Sequence, residues 1–299
     1  MASLCLVAKG NKMVEVEPQP EEVSDQASIA QSELRVFEQI GDGITSVVYR
    51  GYCRGMEVAV KQLHCSPAAM SSKARTNLER ELTILKKVNH PHLVKFIGVC
   101  ESDSVRIVTE FCGGGVAFDL LHNSGRWLTW AQKLKMLNDV ASAMEYLHSI
   151  DPPIIHRDLK SLNLLMMDEV EYQMDVPVVK VADFGLARMI NAAGGQSMTN
   201  DAGTCHWMAP EVFGGNDYDT KVDVYSFSMI MFEVICQDIP FVEIEPKRLG
   251  LLVVRGERPE LDIVPEDCPE PLVQLMVQCW AAKPSDRPDF PTIVSMLRD

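Results

Sequence analysis

The sequence has little positive charge and no long apolar run, and each shortage argues against a class of protein. Among 299 residues, 28 Lys and Arg stand against 42 Asp and Glu, so the formal net charge is −14 and the pI is near 5.0. This balance argues against non-specific binding to nucleic acid or to an anionic membrane, while a local basic pocket stays compatible with it. No apolar run reaches the ~18 residues of a membrane-spanning helix. The densest run, "SFSMIMFEVIC", is short and contains Glu233.

Paired cysteines and targeting signals are also missing. The nine cysteines are odd in number and include no C-x-x-C pair, which favours free thiols in a reducing cytosol or nucleus. Lys9 comes too early for the apolar core of a signal peptide, and Ala2 does not fit N-myristoylation. We therefore expect a cytoplasmic protein, with the nucleus as the alternative, and no membrane span.

The pattern of the chain changes twice along its length. Residues 1–32 are rich in Glu, Gln, Ser and Pro with little periodicity, which predicts a flexible acidic leader. Strand-like segments begin at Leu34 and cluster around one helical segment at 76–88, which indicates a small α+β unit. From residue 116 onward helical periodicity dominates, and "VDVYSFSMIMFEVIC" is apolar almost all round, as in a helix buried on every side. Further helices are predicted at 129–149, 269–280 and 289–299.

One lysine and one glutamate stand out in the strand-rich part. Alternation in "MEVAVKQL" places Lys61 on the same strand face as Ala59 and Leu63. In the helical segment, Glu81 falls within the apolar stripe, three residues after Leu78. A buried charge is costly unless it is paired. An ion pair between Lys61 and Glu81 and an arrangement with both side chains half-exposed fit these segments equally well.

Two further motifs carry oxygen ligands. "HRDLKSLN" contains Asp158 and Asn163, and "VADFG" places Asp183 after a short apolar strand. Two carboxylates and an amide suit a hard divalent cation, which prefers oxygen ligands. Each motif alone would also fit a simple turn, but both in this order are improbable by chance.

Together these motifs resemble those of the eukaryotic protein kinases. The resemblance covers about residues 34–299 and rests on "IGDGITSVV", "VAVK" ending at Lys61, Glu81, "HRDLKSLN", "DFG", "MAPE" at 208–211, Asp223 and Arg287. The segments "GTCHWMAPE" and "CWAAKPSDRPDFPTIV" are most similar to the tyrosine-kinase-like group, the relatives of Raf and mixed-lineage kinases. The resemblance implies an α+β fold with two lobes in a domain at 33–299. It implies an N-lobe at 33–111 with one main helix beside an antiparallel sheet, a hinge at 110–115, and a mainly helical C-lobe at 116–299.

The resemblance also implies an activity, namely transfer of the γ-phosphoryl group of ATP to protein hydroxyls in signal transduction. Lys61 would contact the α- and β-phosphates and be held by Glu81. Asp158 would accept the proton of the substrate hydroxyl, and Lys160 would steady the transferred phosphoryl group.

Cofactor and nucleotide sites are implied in the same way. Asn163 and Asp183 would bind Mg²⁺, with Mn²⁺ as an alternative. Val48, Ala59 and Leu165 would enclose the adenine, Thr109 would stand at the back of the pocket, and the backbone of 110–112 would read the edge of the base. The full set of implied nucleotide contacts is Ile40, Gly41, Asp42, Gly43, Ser46, Val48, Ala59, Lys61, Thr109, Glu110, Phe111, Cys112 and Leu165.

Specificity and regulation follow from the same resemblance. Lys160 and Thr204 favour serine/threonine specificity, and dual specificity stays open. Arg157, beside the expected catalytic Asp, would bind a phosphate on the activation segment, with Ser197 and Thr199 as acceptors. An upstream kinase or autophosphorylation in trans would supply that phosphate.

Ser46 departs from the family pattern because it replaces the third glycine of the phosphate loop. A pseudokinase-like scaffold that binds nucleotide and partners is therefore the alternative to an active kinase, although the six expected catalytic and metal-binding side chains are all present. A dinucleotide-dependent oxidoreductase does not fit, because a strand-like segment and not a helix follows Gly43.

Overall fold

The computed structural model describes residues 27–43, 45–189 and 205–298. Alternating apolar residues in the first part of the chain form a five-stranded antiparallel sheet with the order β1-β2-β3-β5-β4. Its strands are β1 (Leu34–Asp42), β2 (Ser46–Cys53), β3 (Met56–Leu63), β4 (Phe96–Glu101) and β5 (Val105–Glu110). Helix α1 (Ser72–Lys87) lies between β3 and β4, and the Ser71 hydroxyl caps it by accepting the Ala74 N–H at 3.2 Å.

The register of this sheet aligns the residues expected to contact nucleotide. Val48 on β2 lies opposite Lys61 on β3, and Ala59 lies opposite Thr109 on β5. Directly opposed residues and residues two apart on one strand share a face. These four side chains therefore lie on one face of the sheet, the face that carries Lys61.

Residues 27–32, the end of the segment expected to be a flexible leader, differ from that expectation. Ile29 is 3% exposed and packs on the apolar cluster of Leu34, Val58, Val60 and Val108. Val99 on β4 exchanges two backbone hydrogen bonds with this segment, one with Ala27 at 2.7 Å and one with Ile29 at 2.8 Å. The sequence did not predict this contact because Ile29 is the one large apolar residue in a segment that otherwise contains alanine and polar residues.

The second part of the chain is mainly helical. Its helices are α2 (Trp130–Ser149), α3 (Pro210–Phe213), α4 (Lys221–Cys236), α5 (Pro246–Val254), α6 (Glu270–Cys279) and α7 (Phe290–Arg298). Single-turn helices lie at Gln31–Glu33, Pro67–Ala69, Asp119–Asn123, Ser161–Asn163, Cys205–Trp207 and Pro284–Asp286. Every residue from Val222 to Cys236 is buried, so α4 forms the centre of this half, as its apolar sequence predicts.

Short strand pairs surround the place where the two parts meet. They are β6 (Ile154–Ile155) with β9 (Arg188–Met189), and β7 (Leu164–Met166) with β8 (Val179–Val181). The connection after β5 runs along β7, since the N–H groups of Gly113 and Gly114 donate to the carbonyls of Met167 and Met166 at 2.9 and 3.0 Å. At Gly114 an added Cβ would lie 2.2 Å from the Asp168 carbonyl oxygen, so this close approach requires glycine.

The α+β class with a sheet-rich first half and a helical second half is confirmed. The predicted helix at 76–88 is observed as α1, which begins four residues earlier. Helix α5 was not predicted. Within the described residues, no helix is long and apolar enough to cross a membrane.

Candidate active site

A lysine lies between two carboxylates where the two halves meet. The Lys61 Nζ is 3.0 Å from Glu81 Oε1 on α1 and 3.3 Å from Asp183 Oδ1, which follows β8. The pair expected for Lys61 and Glu81 is therefore formed. Burial acts to lower the pKa of Lys61, but the charges of Asp183 and Glu81 outweigh it and hold the pKa above its usual range. The ammonium group thus stays charged and fixed in position.

Asp183 has an unusual backbone. Its φ is +62°, in the left-handed region that non-glycine residues rarely adopt. The Gly185 N–H donates to Asp183 Oδ1 at 3.2 Å and stabilises this turn. Desolvation acts to raise the pKa of Asp183, but Lys61 and the Gly185 N–H hold it below its usual value, so the carboxylate is ionised at neutral pH.

A second cluster lies on the loop after β6. Asp158 Oδ2 accepts from Asn163 Nδ2 at 2.9 Å and lies 2.9 Å from Lys160 Nζ. The other carboxylate oxygen, Oδ1, is buried and has no hydrogen-bond partner in the part of the chain that is described. The Asn163 carbonyl accepts the Ala182 N–H at 2.9 Å, which joins this cluster to the turn that carries Asp183. Asp158 can therefore accept a hydrogen bond from a further hydroxyl group.

Helix α4 stabilises the loop that carries Asp158. Asp223 is fully buried, and its two carboxylate oxygens accept the backbone N–H groups of His156 and Arg157, each at 2.9 Å. His148 Nε2 lies 2.9 Å from the same carboxylate. Arg157 has a φ of +71°, and these hydrogen bonds offset the cost of that backbone, which is typically ~1–3 kcal/mol.

A stack of apolar and aromatic side chains joins the two halves. The rings of His156 and Phe184 meet edge to face with centroids 5.4 Å apart, and both side chains are buried. Leu85 of α1 and Phe96 of β4 belong to the same core. His156 Nε2 lies 3.1 Å from the Ala182 carbonyl oxygen, so this histidine is a packed core residue.

The donor set fits a magnesium ion. The backbone hydrogen bond from Ala182 to Asn163 places the residue next to Asp183 beside Asn163. The side chains of Asn163 and Asp183 both offer oxygen atoms as metal ligands. No group of three or more His, Cys, Asp or Glu side chains suited to a metal occurs among the described residues. Mg²⁺ keeps several waters and is commonly bound by one or two carboxylates together with phosphates, so a site of this size suits it.

The expected nucleotide contacts lie on neighbouring elements. Ile40, Gly41 and Asp42 end β1, and Gly43 follows that strand. Ser46 and Val48 lie on β2, Ala59 and Lys61 lie on β3, and Thr109 and Glu110 lie on β5. Phe111 and Cys112 follow β5, and Leu165 lies on β7. Ser46 has ordinary strand geometry and pairs with Leu63, so this position does not require glycine.

The end of β5 offers free backbone groups. Within the described chain, the N–H and C=O of Cys112 make no hydrogen bond and can therefore pair with the edge of a base. Burial raises the pKa of the Cys112 thiol to about 12, and the Glu110 charge acts in the same direction. This thiol is consequently protonated at neutral pH.

Two groups of contacts were missed at the sequence level. Glu110 Oε1 accepts from Lys180 Nζ at 2.8 Å and from the Lys95 N–H at 2.7 Å, which ties β5 to β8. The second group centres on Glu233 of α4, whose partners are the Ser161 hydroxyl at 2.6 Å, the Trp207 indole N–H at 2.6 Å and His122 Nε2 at 3.0 Å. Glu233 breaks the apolar run of α4, and this was the only signal for it in the sequence.

The residues expected to act in regulation are only partly described. Arg157 is 7% exposed, stacks over the Tyr218 ring at 5.5 Å, and has no ion pair among the described residues. Ser197, Thr199 and Thr204 lie outside the described residues.

The fold and these linked clusters define a protein kinase domain. The family model described as protein tyrosine and serine/threonine kinase matches residues 34–297, and the chain belongs to this family. The resemblance stated from the motifs is therefore confirmed.

The chain is similar to named kinases from distant organisms. It is 38% identical over 273 residues to a probable serine/threonine-protein kinase of Dictyostelium discoideum, covering 91% of this chain and 25% of that protein. It is 36% identical over 273 residues to human serine/threonine-protein kinase TNNI3K, covering 90% of this chain and 31% of that protein. It is 36% identical over 280 residues to serine/threonine-protein kinase STY17 of Arabidopsis thaliana, covering 93% of this chain and 46% of that protein. The chain thus spans less than half the length of each relative. TNNI3K is a tyrosine-kinase-like kinase, in agreement with the group expected from the motifs.

Proposed function

We propose that this chain is an active serine/threonine kinase domain that transfers the γ-phosphoryl group of ATP to hydroxyl groups of protein substrates. The observation that carries this proposal is the linked arrangement of Lys61, Glu81 and Asp183 with Asp158 and Asn163. Phosphoryl transfer has a loose transition state, so an enzyme mainly positions the reactants and neutralises charge. Alignment of the two substrates can account for ~7–11 kcal/mol of the barrier.

Each side chain has a defined role in this proposal. Lys61 binds the α- and β-phosphates, and Glu81 positions it. Asp158 orients the substrate hydroxyl and accepts its proton as the oxygen forms a bond to the γ-phosphorus. The bond from that phosphorus to the β,γ-bridging oxygen breaks, ADP leaves, and Lys160 neutralises charge on the transferred group.

Asn163 and Asp183 hold the metal ion in this proposal, and Mg²⁺ is preferred to Mn²⁺. A bound Mg²⁺ would neutralise the phosphate charge. Lys61 beside Asp183 keeps that carboxylate ionised, as a metal ligand requires.

Substrate class, regulation and location complete the proposal. Lys160 beside Asp158, together with the kinases named above, supports serine and threonine as acceptors. Buried Arg157 supports control by a phosphate, on Ser197 or Thr199, placed there by an upstream kinase or in trans. Each of the eight described cysteines is a free thiol, which supports a cytoplasmic or nuclear location. No observation favours the scaffold alternative.

The test is turnover of ATP/Mg²⁺ with a generic protein substrate, followed by phosphoamino-acid analysis. Asp158→Asn keeps the shape of the side chain but removes the proton acceptor, so the rate should fall about 10²–10⁴-fold. Asp103→Asn, at an exposed position in the turn between β4 and β5, is the matched control and should leave the rate unchanged. Equal rates for wild type and Asp158→Asn would reject catalysis, and phosphotyrosine as the only product would reject the substrate class.

A further inference from the structure

One buried carboxylate outside the proposed phosphoryl-transfer site joins three separate parts of the helical half. Glu233 lies on α4 and is fully buried. Its Oε1 accepts the Ser161 hydroxyl at 2.6 Å and lies 3.0 Å from His122 Nε2, while its Oε2 accepts the Trp207 indole N–H at 2.6 Å. No lysine or arginine pairs with Glu233 among the described residues, so these three groups satisfy the carboxylate.

The chemistry of the three partners determines which atoms donate in this cluster. An indole N–H can only donate, so Oε2 of Glu233 must be an acceptor. A serine hydroxyl can donate or accept, and a histidine ring can carry its proton on Nε2. The contacts of Ser161 and Trp207 are short, which is typical of hydrogen bonds to an ionised acceptor. Glu233 therefore sets the positions of both side chains through strong, directional bonds.

Ser161 belongs to the loop that carries the expected proton acceptor. It is fully buried and begins the single-turn helix Ser161–Asn163, whose last residue donates from Nδ2 to Asp158 at 2.9 Å. The next residue, Leu162, is 41% exposed although it is apolar. The bond to Glu233 thus holds this turn on its core side, while its outer side stays open to solvent close to Asp158.

Trp207 belongs to the segment that precedes α3. It is buried and ends the single-turn helix Cys205–Trp207. Its carbonyl oxygen accepts the Ser226 hydroxyl at 2.8 Å, so α4 holds this residue at the backbone through Ser226 and at the side chain through Glu233. A residue that is bonded twice to one helix has a defined position relative to the Asp158 loop, which is bonded to the same helix.

We propose that Glu233 is a positioning residue for the protein substrate. Through Ser161 it holds the loop of Asp158, and through Trp207 it holds the segment that precedes α3. The substrate chain can then contact both parts while its hydroxyl points at Asp158. This proposal rests on the proposed kinase function, in which the enzyme mainly positions its reactants. Glu233 is fully buried and therefore acts only through its partners.

Steady-state kinetics with dephosphorylated casein as the protein substrate test this proposal. Glu233→Met keeps the length of the side chain but removes both acceptor atoms, so kcat/KM for casein should fall about tenfold, chiefly through KM. None of the residues expected to contact nucleotide bonds to Glu233 within the described chain, so the KM for ATP should change less than about twofold. Release of ADP without casein should also change less than about twofold, because water needs no aligned protein surface.

Conservative variants separate the arrangement of hydrogen bonds from the charge. Glu233→Gln can keep all three contacts, because the serine hydroxyl can accept and the histidine can move its proton to Nδ1. Its kcat/KM for casein should stay within about threefold of the wild type. Trp207→Phe and Ser161→Ala each remove one donor and should raise the KM for casein. Both should have little further effect in the Glu233→Met background, because the shared interaction is already lost.

Two controls define what a loss of stability alone would do. Ile235→Ala, at a buried position on the same helix, should lower Tm but leave both KM values unchanged. Glu243→Met, at an exposed position after α4, should leave Tm and both KM values unchanged. A rise in the KM for casein that Ile235→Ala reproduces, or a parallel loss of ADP release in Glu233→Met, would show a general disturbance and overturn the proposal.

The remaining outcomes also decide. A wild-type KM for casein in Glu233→Met would overturn the proposal, and so would equal losses in Glu233→Met and Glu233→Gln, which would assign the effect to charge alone. Should Glu233→Met not fold, wild-type KM values in both Trp207→Phe and Ser161→Ala would overturn it. A wild type that releases ADP without phosphorylating casein would instead reject the proposed kinase function, so the two failures are distinguishable.

Discussion

At the scale of single residues, Arg157 is a buried cation that forms no ion pair with any of the described residues. Its Nε has no hydrogen-bond partner among the described residues. Burial lowers the pKa of Arg157, and the charges of Arg188 and Arg80 act in the same direction, while Tyr218 and Asp223 offset this only in part. A buried guanidinium close to other cations is costly until an anion approaches, so this site suits the phosphate proposed on Ser197 or Thr199.

This argument predicts a non-additive set of variants. Ser197→Ala/Thr199→Ala should lower kcat/KM about tenfold or more, because the anion that orders the site is lost. Arg157→Met should cause a similar loss in the wild type but little further loss in the double-alanine background, because both changes remove one interaction. Steady-state assays of the phosphorylated wild type and of the three variants provide the measurement.

Ser285→Ala, at an exposed serine in the single-turn helix Pro284–Asp286, is the control for this set and should leave kcat/KM unchanged. Full activity in the double-alanine variant would refute the regulatory proposal. If the losses in kcat/KM caused by Arg157→Met and by the double-alanine change add up in the combined variant, Arg157 has a role unrelated to a phosphate.

The sequence identified the candidate site residues more readily than it identified their partners. Lys61 and Glu81 were marked by charge in an apolar setting, but the choice between an ion pair and two half-exposed side chains needed the placement of α1 against β3. Glu233 meets Ser161, Trp207 and His122, which lie 26 to 111 residues away along the chain. Contacts of this span depend on the packed fold, and no local spacing indicates them.

At the scale of elements, periodicity predicted the long helices well because each places a continuous stripe or a whole surface in the core. Helix α5 was missed because it is short and only Leu249 and Val253 are buried in it. Residues 27–33 were missed for a related reason, since only Ile29 is buried there. Their contact with β4 is nonetheless close, because a Cβ added at Gly98 would lie 2.4 Å from the Ala27 carbonyl oxygen.

Deletion of residues 1–33 should therefore destabilise the sheet more than deletion of residues 1–26. The longer deletion loses burial of Ile29, about 2 kcal/mol, and two backbone hydrogen bonds, for a total of about 3 kcal/mol. It also removes Glu33, which pairs with Arg54 at 2.9 Å. Thermal unfolding should show a fall in Tm of about 6–12 °C for the longer deletion.

A point variant provides an independent check on this contact. Gly98→Ala should lower Tm in the full chain by pushing residues 27–29 off β4. It should have little effect in the chain that lacks residues 1–33, because the clash is then gone. Equal effects of Gly98→Ala in both backgrounds, or equal Tm values for the two deletions, would show that the segment does not stabilise the sheet.

At the scale of the whole molecule, the proposed site requires both halves. Lys61 and Glu81 come from the sheet-rich half, while Asp158, Asn163 and Asp183 come from the helical half. A ligand that contacts both halves binds only when they are folded and correctly placed, so it stabilises the complete protein by mass action. At a nucleotide concentration about 100 times Kd, this stabilisation is about 2.7 kcal/mol.

We expect ATP with Mg²⁺ to raise Tm by about 5–10 °C, and ATP with EDTA to raise it much less. Asp183→Asn should lose the part of the shift that depends on metal, because an amide is a weaker ligand for a hard cation than a carboxylate. Asp262→Asn, at an exposed position after α5, is the control and should keep the whole shift. Differential scanning fluorimetry with and without EDTA measures both parts. A shift that is the same with EDTA would show that metal does not contribute to nucleotide binding, so that the ammonium groups alone offset the phosphate charge. A metal-dependent shift that persists in Asp183→Asn would place the metal elsewhere and remove Asp183 from the proposed mechanism.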